Sequence, residues 1–170
     1  MRVVYVLIIA LLLICCKDDK QIVVYSKMEK SFINDEYKNV WNLNPVFSFE
    51  QAQKLSKSNK KDILVVFTGI NNSGTPKMIW EILNNRDVSN TINNNFVFCI
   101  LFTDVPYNLR KSDTISIKKK NLQLRKTLSK TTSANSFIKV NPSGEKVSKE
   151  LILVSKKQKR DLLIFLTENK

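Results

Sequence analysis

The chain has 170 residues, 43% hydrophobic and 25% charged, so it can build one ordinary globular domain with room for an extension. It contains no histidine, which excludes the commonest general base, the commonest metal ligand and every Ser/His or Cys/His catalytic pair. A net charge of +13 invites a nucleic-acid or anionic-surface reading, but the lysines are scattered through Lys17–Lys30, Lys54–Lys61, Lys118–Lys126 and Lys156–Lys159, and no aromatic-plus-basic stacking module accompanies them. The chain is also rich in Lys, Asn and Ile, whose codons are A/T-rich, so base composition alone can load the surface with lysine. The balance argues against a nucleic-acid partner. The three cysteines, Cys15, Cys16 and Cys99, form no CxxC pair and no zinc-ligand spacing, so neither a metal nor another cofactor is expected.

Residues 1–16 read as a targeting segment. Arg2 supplies a positive start, and Val3 to Ile14 is an unbroken apolar run. A bilayer span needs ~20 apolar residues, so the run is short for a transmembrane helix and suits the core of a signal peptide. It ends Leu12-Leu13-Ile14-Cys15-Cys16 and turns abruptly to Lys17-Asp18-Asp19-Lys20. This resembles the lipobox of bacterial lipoproteins, in which a cysteine becomes the lipidated first residue of the mature chain. Cys16 is the better match, because Cys15 then places a small residue before the cut. The resemblance implies a bacterial cell-envelope protein held by lipid on Cys16, at the outer membrane with a periplasmic or surface face. The alternative is an uncleaved N-terminal anchor. Lys17-Asp18-Asp19 also resembles the short acidic signals that send some lipoproteins to the cell surface; the plain alternative is a solvated tether.

Residues 17–45 form a tether and N-terminal extension. Ile22 to Tyr25 suits an edge strand, and Phe32, Tyr37, Val40 and Trp41 are too apolar for a pure linker, so part of the segment is expected to pack on the domain. The domain proper is expected over 46–170. Ser48-Phe49-Glu50-Gln51 is a capping-box start, and Phe49, Ala52 and Leu55 give one apolar face, predicting a helix over 49–58. Asp62 to Thr68, built on a β-branched apolar run, predicts a strand buried on both faces. Gly69 and Gly74 bracket the loop that follows. Thr75 and Pro76 suit an N-cap and first helical position, and Met78, Ile79, Ile82 and Leu83 supply the inner face of a helix ending at Asn84-Asn85.

Asp87 can cap a short helical turn that carries Val88 and Ile92. Asn95 to Thr103 reads as a second buried strand with Cys99 at its middle, where a small core residue is the expected role. Residues 104–114 read as a loop, and residues 116–128 as a basic helix touching the core through Leu122, Leu124 and Leu128. Ser136 to Val140 predicts a strand, Asn141-Pro142-Ser143-Gly144 a hairpin-type turn, and Glu145 onward a returning strand. Ser155-Lys156-Lys157-Gln158 is a second capping box, opening an amphipathic helix through Leu162, Leu163, Phe165 and Leu166. The order is helix, strand, helix, strand, helix, strand, turn, strand, helix.

That order, with these residues, resembles the thioredoxin-like fold, and in particular domains related to the C-terminal domain of the membrane thiol:disulfide interchange protein. The residues that carry the likeness are Phe67-Thr68-Gly69, Lys77-Met78, Asn94-Asn95-Phe96-Val97 and Asn141-Pro142-Ser143-Gly144, with Asn85-Arg86-Asp87-Val88 a looser match. Leu83 stands where the family often has an aromatic. The resemblance implies an α/β fold with a central mixed sheet of about four strands flanked by helices. It also places the family's two redox cysteines on Asn72 and Thr75, flanking Ser73 and Gly74, and its cis-proline on or next to Asn135. Neither Asn72 nor Thr75 can form a disulfide or a thiolate. A non-proline cis bond costs ~2.5–4 kcal/mol, so a trans loop is expected at Asn135.

The expectation is therefore a membrane-anchored, thioredoxin-like lipoprotein with a degenerate redox site and no catalytic residue. It would act as a binding or scaffold module for a protein partner whose identity the sequence leaves open. The retained groove would be a polar surface of residues 71–75 and 132–135. Two alternatives stay open. One is an oxidoreductase-related enzyme with a site other than CxxC, using Cys99 or a hydroxyl of Ser73 or Thr75 at the helix N-terminus. The other is a basic surface-binding module built from a contiguous lysine patch on residues 116–126 and the last helix.

Overall fold

A computed structural model describes residues 43–69, 79, 81–104, 112–131 and 135–168, and the side chains of all but residues 112–114 among them. The targeting segment, the tether to residue 42 and the loop carrying Asn72, Ser73, Gly74 and Thr75 lie outside the described residues.

The chain enters through Leu43, which is buried, and Pro45. Val46 then lies parallel to the outermost strand: its N–H donates to the carbonyl of Phe98 (2.9 Å), and its carbonyl accepts from the N–H of Ile100 (2.9 Å). Helix α1 spans Phe49–Asn59. Ser48 caps it by accepting from the N–H of Gln51, half of the expected capping box, and its hydroxyl donates to Glu50. Lys60, with φ 54°, closes the helix in the left-handed region. Strand β1 spans Asp62–Thr68, as its apolar run predicts.

After β1, Ile79, Ile82 and Leu83 occupy helical backbone and are buried, on the inner face predicted for them. Helix α2, Arg86–Asn95, is longer than the single turn expected around Val88 and Ile92. It is capped two residues earlier than expected, by Asn85, whose side-chain oxygen accepts from the N–H of Asp87 (3.2 Å). Both Asn and Asp cap well, and the extended backbone of Asn85 decides between them. Strand β2 spans Phe96–Phe102 and is buried throughout. Helix α3 spans Ser112–Leu128, starting four residues before the expected position.

The sequence placed the inner face of α3 on Leu122, Leu124 and Leu128. The structure buries Ile117, Asn121, Arg125 and Leu128 instead, with Leu122 and Leu124 only partly covered. These positions follow the helical repeat, and two polar side chains are carried inward by it. Asn121 is satisfied there: its amide donates to the carbonyl of Phe102 (3.0 Å).

Strand β3 spans Ser136–Val140, and the Asn141–Gly144 turn follows. Gly144, with φ 98°, donates to the carbonyl of Asn141 (2.9 Å), a conformation that glycine adopts without penalty. The returning strand β4 is only Leu151–Ile152. The second capping box forms as predicted: Ser155 and Gln158 cap a 3-10 turn, Lys156–Gln158, that leads into α4, Lys159–Thr167.

The sheet order is β2-β1-β3-β4. β1 and β2 run parallel, while β3 is antiparallel to β1 and β4 to β3. One face of the sheet packs Leu64, Val66, Ile100 and Phe137 against α2 and α4. The other packs Val65, Phe67, Cys99 and Ile138 against Ala52 of α1 and Leu128 of α3. Strands covered on both faces explain why β1 and β2 read as continuous apolar runs. Phe47 stacks on Phe102 with ring centroids 5.7 Å apart, holding the entry to α1 against the end of β2.

Lys139, on β3, is an unexpected buried cation. Its ammonium donates to the carbonyl of Glu168 (2.8 Å) at the end of α4, and lies 5.0 Å and 5.7 Å from the ring centroids of Phe165 and Phe96. A cation at a helix C-terminus is favourable, and the two aromatic faces replace part of its lost hydration.

Candidate functional site

In an open α/β sheet, the carboxyl ends of the parallel strands are where loops gather chemistry. Here that edge holds Thr68 at the end of β1 and Gly69 after it, Thr103 and Asp104 after β2, and Asn135 leading into β3. Gly69 lies close to Asp104, whose Oδ2 a Cβ at this position would meet at 3.0 Å.

Asn135 is the one position of the expected degenerate redox site among the described residues, and it ties three strands together. Its N–H donates to the carbonyl of Phe67 on β1 (2.9 Å). Its carbonyl accepts from the N–H of Leu153, just past β4 (3.1 Å). Its side-chain oxygen accepts from the hydroxyl of Thr68 (3.0 Å), and its amide donates to the carbonyl of Leu153 (3.4 Å). The residue is 4% exposed and sits at φ 65°. Asparagine tolerates the left-handed region better than most residues because its short side chain bonds locally. No cis peptide bond occurs among the described residues.

Thr68 continues the network. Its carbonyl accepts from both the N–H (2.8 Å) and the hydroxyl (3.1 Å) of Thr103. Ser136, next to Asn135, is fully buried, and its hydroxyl has no hydrogen-bond partner among the described residues. The sequence signals for Thr68, Thr103 and Ser136 were weak, because isolated hydroxyl residues at strand ends are common.

Cys99 lies at the centre of β2, opposite Val65 of β1 and beside the Val46 bridge. It is 0% exposed. Burial pushes its thiol far above the ordinary range, and the charge of Glu50 adds to the effect. A nucleophilic sulfur has to be a thiolate with access to its target, and this one has neither property.

The lysine patch proposed from α3 and the last helix does not form one surface. α3 packs on the sheet face that holds Cys99, and α4 packs on the opposite face. Lys120 is in addition paired with Glu50. That pairing and the hydrogen bond from Ser48 hold the Glu50 carboxyl below its usual range, although its burial pushes the other way.

With this geometry in place, comparison with solved structures identifies the fold as thioredoxin-like. A thioredoxin from Thermus thermophilus matches at 17% identity with a TM-score of 0.52, covering 71% of this chain and 82% of that one. A disulphide isomerase from Xylella fastidiosa Temecula1 matches at 17% identity with a TM-score of 0.51, covering 74% of this chain and 99% of that one. A DsbH oxidoreductase matches at 19% identity with a TM-score of 0.51, covering 68% of this chain and 77% of that one. No protein-family model matches the chain, and no curated protein matches its sequence.

Proposed function

We infer that this protein is a thioredoxin-like module without thiol–disulfide chemistry, held at a bacterial membrane by lipid on Cys16 and serving as a binding scaffold. The observation that carries the reading is the position of Cys99. It is the one cysteine beyond the targeting segment, and it is sealed in the middle of β2 with its thiol kept protonated. The positions aligned with the redox pair are Asn72 and Thr75, which have no sulfur. The network around Asn135 supports the same reading. The backbone there is committed to β1 and β4 within the fold, which suits a rigid platform better than a site that must open to a disulfide substrate.

The test is catalysis of disulfide reduction by the full chain in detergent, with dithiothreitol as the reductant. The natural chain is expected to run at the blank rate. An Asn72→Cys, Thr75→Cys double variant, with Asn135 kept, is expected to gain at least tenfold over it. Turnover by the natural chain that disappears in Cys99→Ala would overturn the scaffold reading. The anchor is tested separately. Cys16→Ser is expected to abolish incorporation of a labelled fatty acid and release the protein from the membrane fraction, because several acyl chains at ~0.8 kcal/mol per buried CH₂ supply the attachment. Unchanged labelling would place the lipid elsewhere or remove it from the account.

A further inference from the structure

The positive charge of the chain is unevenly placed on the fold. α1 and α3 pack on the sheet face that holds Cys99, and α2 and α4 on the opposite face. From Phe49 to Lys61, α1 and the turn that closes it carry Lys54, Lys57, Lys60 and Lys61 against the single acid Glu50. The described side chains of α3 and of the residues just after it, 115–131, include five lysines and Arg125 and no acid. The helical segments on the other face, residues 81–95 and 156–168, set five cations against four acids. Among the described helices, the excess of positive charge therefore lies on one side of the sheet.

The two basic helices are neighbours. Glu50, at the start of α1, pairs with Lys120 in the middle of α3, and Phe49 and Leu124 line the groove between them. Lys54 and Lys57 are exposed three residues apart on α1, and Lys119 and Lys126 are exposed two turns apart on α3, with exposed Lys130 just beyond its end. None of these five lysines is paired with an acid among the described residues. No exposed aromatic side chain stands among them, so stacked nucleotide bases have no platform there. An array of separate ammonium groups over two adjacent helices matches an extended surface of negative charge.

We propose that the α1/α3 face rests on an anionic phospholipid surface. The proposal rests on the membrane attachment argued above, which supplies that surface. The 26 residues from 17 to 42 lead from Cys16 to the described domain and reach at most ~90 Å fully extended, so the domain stays beside the bilayer. The chain enters the domain at Leu43 and starts α1 at Phe49, so the attachment leads directly to the basic face. Each lysine brought within a Debye length of anionic headgroups, about 10 Å, adds to the attraction, and lysines on adjacent helices of one packed face act together.

The experiment is lysine acetylation, read by mass spectrometry, of the full chain in vesicles of phosphatidylcholine alone or with about one third phosphatidylglycerol. Lys54, Lys57, Lys119 and Lys126 are expected to react at least threefold more slowly in the anionic vesicles, with Lys157 and Lys159 of the opposite face unchanged, and the difference is expected to vanish in about 1 M NaCl. Equal labelling in the two vesicles, equal slowing on both faces, or slowing that survives the salt overturns the proposal. The same slowing by a DNA duplex added to the chain in neutral vesicles overturns the assignment to lipid. Flotation separates the face from the anchor. A chain that does not float with neutral vesicles refutes the attachment, and flotation with the anionic vesicles then reads the face. There Lys119→Gln/Lys126→Gln/Lys130→Gln is expected to bind at least tenfold more weakly than the natural chain, while Lys157→Gln/Lys159→Gln/Arg160→Gln, which removes the same charge from the opposite face, binds as the natural chain does. Equal binding by the two variants overturns the face. All six replaced side chains are exposed, so both variants are expected to fold.

Discussion

Replacing Asn135 with proline is expected to cost the domain about 4 kcal/mol. Proline fixes φ near −65°, whereas Asn135 sits at +65°, and proline removes the N–H that donates to the buried carbonyl of Phe67. The lost bond leaves an unsatisfied buried acceptor, worth ~1–3 kcal/mol, and the backbone mismatch adds ~1–3 kcal/mol. Asn135→Ala keeps the N–H but strains φ and leaves the Thr68 hydroxyl without its acceptor, for about 3 kcal/mol. Asn135→Gly relieves the strain and loses only the side-chain bonds, for about 1–2 kcal/mol. Urea unfolding of the four proteins checks this order. A proline variant as stable as the natural chain would show that the residue 135 backbone is not held as described. The series also bears on any attempt to restore redox activity. Proline at this position, which the family resemblance would recommend, conflicts with the hydrogen bond and dihedral angle present here, so cysteines should be introduced with Asn135 retained.

Cys99 is expected to react with a thiol reagent at least a thousandfold more slowly in the folded chain than in the unfolded one. A fully buried residue at the centre of β2 is reached only when the sheet opens, and an opening free energy of ~5 kcal/mol already suppresses the reactive population by more than three powers of ten. Labelling followed by mass spectrometry, with the urea-unfolded chain as the reference, reads the rate. Protection less than tenfold would mean that Cys99 is accessible, and would return the non-CxxC enzyme to contention.

The same burial has a consequence for pH. Above the ordinary thiol range the unfolded chain releases the Cys99 proton while the folded chain keeps it, so folding binds a proton and stability falls as pH rises. The contribution is fully present below pH ~8.5 and is lost at up to ~1.4 kcal/mol per pH unit above it. Cys99→Ala is expected to remove that part of the alkaline slope, and equal slopes in the two proteins would exclude the effect.

Much of the fold could be read from local chemistry. The bounds of β1 and β3 follow from β-branched and apolar runs, and the Ser155–Gln158 box from a capping pattern whose partners are three residues apart. The Asn141–Gly144 turn follows from residues that favour tight turns. Each depends on neighbours in sequence, so sequence carries it. Helix α3 was harder to read because its apolar residues do not form a stripe. Its buried positions include Asn121 and Arg125, which only a partner on the sheet and a nearby carboxylate make tolerable.

The sequence by itself determined the element order, the thioredoxin-like α/β class, the absence of sulfur at positions 72 and 75, and the expectation of a lipidated Cys16. Composition, periodicity and short motifs are properties of neighbouring residues, and they survive without coordinates. Tertiary structure alone decided that Cys99 is sealed rather than available, that Asn135 joins β1, β3 and β4, and that α3 and α4 lie on opposite faces. Those outcomes depend on contacts between residues tens of positions apart, and on burial, which changes the cost of a charge or an unpaired polar group far more than any local pattern can.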